Sequence, residues 1–161
     1  MSFVGNLFLV LGIVTATTAN ANETKIVADV TVAAEWIAKA LSSSGYKADF
    51  SVESLKEIDR FFDDQMLNGA PKPNGLLATQ RGSRLFALGA YVGEVIRRSA
   101  GGEWIGDDND PQAEINVALR LKHGTILWPI QRVIKRFNNG SEDGIYAYGI
   151  GTLRCEGSPK C

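Results

Sequence analysis

Four side chains in the stretch "RLFALGAYVGEVIRRSAGGEW" (Arg84 to Trp104) have the chemistry of a small-ligand cleft. Tyr91, Glu94, Arg98 and Trp104 bring a phenol, a carboxylate, a guanidinium and an indole. A carboxylate with room for a ligand serves as general acid or base, and a neighbouring guanidinium orients an anionic group. Tyr91, Glu94 and Arg98 fall on one side of a helix, and Glu94 precedes Arg98 by one helical turn, the favourable orientation for an ion pair. The plainer reading is therefore a mostly buried helix whose polar seam is closed by Glu94 with Arg98 or Arg97. The surroundings of that one carboxylate separate a ligand cleft from a structural ion pair.

Other chemistry is thinly supplied, and no residue is singled out as catalytic. His123 is the single histidine and is predicted to sit on a tight turn, so any nucleophile–histidine arrangement would have to be built there. One histidine and two cysteines do not make a zinc site of the usual kind. Gly101-Gly102 and Gly149-x-Gly151 read as turn glycines rather than a phosphate-binding motif, so no cofactor is expected. The loop "DDNDPQAE" offers Asp107, Asp108, Asp110 and Glu114 as oxygen ligands, but it lacks the spacing and central glycine of a calcium loop. It reads as a solvated acidic loop, and no metal is expected. Arg132, Lys135 and Arg136 lie outside the apolar face of a late helix and form a basic surface suited to an acidic protein partner.

Composition narrows the classes further. The chain has 161 residues, 45% hydrophobic and 22% charged, which is enough to bury a core in one domain. A net charge of −1 argues against a nucleic-acid binder, which needs Lys and Arg in excess on one face. The first charged side chain is Glu23; before it, Phe3 to Val14 is almost wholly apolar and Ala19-Asn20-Ala21 has the small-x-small pattern of a cleavage site. Residues 1–21 are therefore expected to be a cleaved export signal, with no membrane span left after cleavage and a periplasmic or secreted destination. Cys155 and Cys161, separated by a segment with Gly157 and Pro159, are placed to form a disulfide in an oxidising compartment; the alternative is a frayed tail with two thiols. The expected organisation is a single domain over 22–154 and a tail over 155–161.

The elements that must position these groups follow from periodicity. "VAAEWIAKAL" predicts a helix with Val32, Trp36, Ile37, Ala40 and Leu41 inward. Ser51 is a cap for a second helix whose stripe is Leu55, Ile58, Phe61, Phe62 and Met66. "NGAPKPNG" reads as an exposed loop, followed by a third helix over about 79–98 in which Gly89 and Gly93 line a close contact. "EWIG" reads as a short strand, and alternation from Ile115 to Leu121 predicts another, turning at His123-Gly124 into "TILW". Pro129 opens a helix facing inward through Ile130, Val133, Ile134 and Phe137, and Gly140 stops it. "GIYAYGIG" reads as a final strand. The fold class is α+β: three N-terminal helices, then a small, mainly antiparallel sheet with one further helix.

Together "SVESLKEIDRFFDD", "LFALGAYVGEVIRRSAGGEW", "INVALRL" and "WPIQRVIKRFNNGSEDGIYAYG" resemble an uncharacterised family of small bacterial domains, some with export signals. The likeness runs from about Ala34 to Gly149 and implies a bacterial source and one compact domain. It brings no known activity or catalytic residues. A looser similarity, in size and style, is to immunity proteins that neutralise toxins of neighbouring cells. The expectation is an exported protein-binding module of immunity or inhibitor type; the alternative is a small-ligand-binding protein or hydrolase-like enzyme with a cleft around Glu94.

Overall fold

The computed structural model describes residues 24–155. They form α1 (Lys25–Ser43), α2 (Leu55–Gln65), β1 (Met66–Leu67), β2 (Ala70–Pro71), α3 (Arg81–Ala100), β3 (Glu103–Ile105), the single turn α4 (Ala113–Asn116), β4 (Ala118–Arg120), β5 (Ile126–Leu127), α5 (Pro129–Asn139) and α6 (Ile145–Cys155). β1 and β2 make a two-stranded antiparallel hairpin, and β3, β4 and β5 make a three-stranded antiparallel sheet in that order. The class is α+β, but the expected layout is not the observed one. A hairpin separates α2 from α3, and the chain's last described element is a helix rather than a strand. The expected signal over 1–21 and Cys161 lie outside the described residues. Among the described residues, no helix is long and apolar enough to cross a membrane.

α3 is the axis of the domain. Every residue from Ala87 to Ile96 is buried, as a helix apolar on nearly its whole circumference must be. It packs mainly on α1 and α5 and more lightly on α6 and α2. The two glycines sit where neighbours come closest. A methyl group on Gly89 would lie 2.5 Å from Ile130 Cα, so the first turn of α5 rests on bare backbone. One on Gly93 would lie 2.2 Å from the far edge of the Trp104 ring and 3.0 Å from Pro129 Cγ. The close contact expected of this stripe is present, shared between a helix start and an indole.

Local signals set several other elements. Ser51 accepts a hydrogen bond from the Ser54 N–H, and the stripe behind it buries Leu55, Ile58, Phe61 and Phe62. Asn68 and Gly69 turn the hairpin in the left-handed region, with φ of 52° and 77°, which Asn and Gly tolerate. Pro129 stands in the first turn of α5, and Gly140 follows its end at φ 89°.

Three expectations fail, the first and third for tertiary reasons and the second for a local one. α1 buries Ile26, Val30, Ala34, Ile37, Ala38 and Leu41, whereas Val32 and Trp36 are 70% and 54% exposed. Its inner stripe runs through two alanines that let α1 lie close to α3, so bulk alone points to the wrong side. The alternation from Ile115 to Leu121 is interrupted. Asp110 accepts from the Gln112 N–H and the Asn116 side chain, winding 113–116 into a helical turn and leaving only Ala118–Arg120 as strand. "GIYAYGIG" lies in α6, started by Asp59 of α2, whose two oxygens accept from the Ile145 and Tyr146 N–H groups at 2.9 Å. A strand-like composition yields to a cap supplied 86 residues away.

Substituting Gly89 or Gly93 with Leu is expected to lower stability by a few kcal/mol through overpacking, read as a fall in thermal midpoint. Gly151, also helical but with open space where a Cβ would stand, is the control. Gly151→Ala should raise stability by about 0.5–1 kcal/mol. Equal effects at the three positions would show that packing is not what the α3 glycines provide.

Candidate functional site

The structure brings Glu94, Arg98 and Trp104 together and adds Arg97. Glu94 is 1% exposed. Its Oε1 accepts from Arg97 Nε at 2.6 Å and from the Trp104 indole N–H at 2.8 Å. Its Oε2 accepts from an Arg97 terminal nitrogen at 3.0 Å and from Arg98 Nε at 3.2 Å. Arg97 and Arg98 reach this carboxylate because they follow it by three and four residues on α3. Trp104 reaches it because Gly101 and Gly102, at φ 76° and 130°, fold β3 back along α3. Burial pushes the Glu94 carboxyl up, but the hydrogen bonds from Arg97, Trp104 and Arg98 and the Arg97 charge prevail and hold it below the usual glutamate range.

Tyr91 belongs to a neighbouring network. Its hydroxyl lies 2.6 Å from Ser54 Oγ and accepts from the Phe50 N–H at 3.1 Å; Ser54 in turn donates to the Ser51 carbonyl. The Tyr91 proton is thereby directed to Ser54, and burial pushes its pKa up. The two networks meet at Phe50, which holds a left-handed backbone with φ 60°. Its ring lies against Tyr91 with centroids 4.8 Å apart, and Arg98 stacks 3.6 Å above it. Arg98 also binds Glu35 of α1 at 2.6 Å, so it ties α1, α3 and the 46–51 segment together. Glu35 and Phe50 are members that spacing on α3 had no means of finding.

With four donors on one enclosed carboxylate, the arrangement is built to hold Glu94 ionised and fixed. A general acid or base there would have to break those bonds first. Described residues line two surface depressions: one of about 360 Å³ bordered by Glu35 and Phe50, the outer partners of Arg98, with Lys39, Ser42 and Ala48, and one of about 380 Å³ bordered by Glu103, Arg120, Lys122 and Gly124. Neither is lined by Glu94.

The three basic residues of α5 do not form one surface. Arg136, expected on the outer face, is 4% exposed. It donates to Asp59 at 3.0 Å and to Asp63 at 2.6 Å, joining α5 to the residue that caps α6. A buried guanidinium is tolerable only when paired in this way. Arg132 binds Asp143 at 2.9 Å and lies over the Tyr148 ring. Lys135 alone of the three is exposed, and it makes no ion pair among the described residues. Comparison with family models, with curated proteins and with solved structures finds no match to this chain.

The acidic loop also works structurally. Asp108 accepts from the Lys25 and Ile26 N–H groups at 2.7 and 2.8 Å, capping α1. Asp107 and Asp110 hold their own turns. Among the described residues, no group of three or more His, Cys, Asp or Glu side chains is placed to hold a metal ion. The expected pairing of Cys155 with Cys161 involves a residue outside the described range.

The Glu94 network predicts a signed pH dependence. A carboxylate whose folded-state pKa lies below its unfolded value contributes fully above the ordinary value near 4.5 and loses that contribution as pH falls through the folded value. Glu94→Gln should cost about 2–3 kcal/mol at neutral pH, because Arg97 loses its charge partner and Arg98 keeps only Glu35. The difference from wild type, followed by denaturant unfolding, should shrink as pH is lowered below about 4.5. A difference that stays constant down to pH 3 or so would contradict this account.

Proposed function

We propose that the protein is a binding module for another protein, of immunity or inhibitor type, and that it uses the outer side of α5. The observation that carries this reading is an apolar and basic patch. Trp128, immediately before α5, is 45% exposed, and Ile115 of α4 is 42% exposed. Trp128, Gln131 and Lys135 succeed one another at helical spacing, and the Gln131 amide donates to the Ile115 carbonyl at 3.3 Å, holding α4 beside them. An exposed tryptophan beside an aliphatic side chain is what a protein interface uses as an anchor. The adjacent unpaired lysine selects for an acidic rim on the partner and raises the rate of encounter.

The looser similarity to immunity proteins and the expected export signal support a partner at the cell envelope or beyond it. The reading keeps the partner charge expected from the α5 run but reduces its basic contributors to Lys135. Arg132 and Arg136 support the patch from within by fixing α5 against Asp143, Asp59 and Asp63.

Immobilised protein incubated with envelope and medium fractions of the cells that produce it should retain one acidic protein, with retention falling as salt is raised. Trp128→Ala and Lys135→Glu should each weaken one-to-one binding of that purified partner by at least tenfold, while Trp36→Ala leaves it unchanged. Binding that is equal in all four proteins would reject the α5 face.

A further inference from the structure

α1 carries a second exposed face with a different pattern. Lys25, Asp29, Val32, Trp36, Lys39 and Ser43 follow one another at alternating spacings of four and three along its solvent side. Val32 and Trp36 are 70% and 54% exposed, and the side chains of Lys25 and Asp29 are 80% and 44% exposed. Alternating spacings of four and three make the seam of a two-helix pair. Here the seam has an apolar centre, an acid one step to one side and a base one step to the other.

That sequence of groups is self-complementary in one orientation. When two copies of α1 lie antiparallel about a two-fold axis between Val32 and Trp36, each Val32 meets Trp36 of the second copy. Each Asp29 then meets Lys39 of the second copy. A parallel pair would instead oppose Asp29 to Asp29 and Lys39 to Lys39, which repel. Ala28 and Ala40 flank the seam and keep its margins low. Glu35, on the neighbouring stripe, is already neutralised by Arg98 at 2.6 Å and brings no free charge to the contact. Lys39 has no ion-pair partner among the described residues, whereas Asp29 pairs only with the highly exposed Lys25.

We infer that the protein associates with a second copy of itself through this face of α1, as an isologous antiparallel helix pair. Two-fold symmetry requires a surface that complements itself, and the Asp29–Lys39 placement about the Val32–Trp36 centre meets that requirement. The face is separate from the α5 patch, and the inference does not depend on the binding function proposed for it.

Sedimentation equilibrium of the full chain at low salt, over micromolar to millimolar concentration, tests it. A reversible monomer–dimer equilibrium is expected, lost with Trp36→Lys and unaffected by Trp128→Ala. Asp29→Lys and Lys39→Asp should each weaken association by about tenfold, since each turns two attractive contacts repulsive. Mixing those two variants should restore association as heterodimers, and the double variant should associate like the parent. Circular dichroism melts matching the parent's establish that each variant is folded. A parent that stays monomeric throughout, or a dimer indifferent to Trp36 and to the charge exchange, overturns the inference.

Discussion

The edge of the Trp104 ring occupies the space that a side chain at Gly93 would fill, and its N–H ends on Glu94, the next residue of the same helix. Much of the domain depends on that contact. The ring seals the carboxylate from water, which makes pairing by Arg97 and Arg98 obligatory and gives their hydrogen bonds their strength. It holds β3 against α3, and β4 and β5 are paired outward from β3. Pro129 Cγ comes within 3.0 Å of the same vacant Cβ position, so the start of α5 is set by the same glycine. One missing side chain thus registers the sheet, a helix and a buried charge.

Two carboxylates act over long distances in a comparable way. Asp108 caps α1 from 82 residues further along, and Asp59 caps α6 from 86 residues earlier. Each satisfies two backbone donors that a helix end would otherwise leave open, for about 1 kcal/mol per cap. Asp59 also neutralises Arg136, so α2, α5 and α6 share a single anion. The acidic side chains that suggest metal binding or acid–base chemistry by type are in large part consumed by such fastening.

Where the controlling interaction is local, the sequence is readable. The Ser51 cap, the Phe61–Phe62 stripe, the Pro129 start and the Gly140 stop each act within a turn or two, and the glycines of α3 announce a close approach wherever it comes from. Reading fails mainly where the partner is distant, the local Asp110 turn that displaces the strand start at Ile115 being the exception. Nothing near Ile145 says that Asp59 will nucleate a helix there, and nothing near Arg136 says that it will find two aspartates and turn inward. Val32 and Trp36 mislead for a related reason: their bulk suits an interior, but α3 accepts the alanine stripe because alanines allow closer approach. Of the site, the Glu94–Arg98 pair and the alternative Arg97 are legible from spacing alone, whereas Glu35 and Phe50 come from elements whose placement spacing does not encode.

What this economy leaves at the surface bears on how the domain would work. With Glu94, Arg97, Arg98, Arg132 and Arg136 engaged internally, the exposed tryptophans, each with a free lysine nearby, mark two faces: Trp36 with Lys39 on α1, and Trp128 with Lys135 at α5. They differ in what accompanies the base. On α1, Asp29 balances Lys39 about the apolar centre, so the face suits its own copy. On α5, Lys135 has no ion-pair partner among the described residues and no acid placed symmetrically about Trp128, so an acidic partner would be favoured over a second copy. Used together, the faces would be complementary in effect. Pairing through α1 leaves two α5 faces available on one particle, and a partner that is itself multivalent would then be held by avidity as well as by contact. A small domain with modest individual interfaces gains most from that arrangement, because the second contact forms at high effective concentration and needs no larger surface.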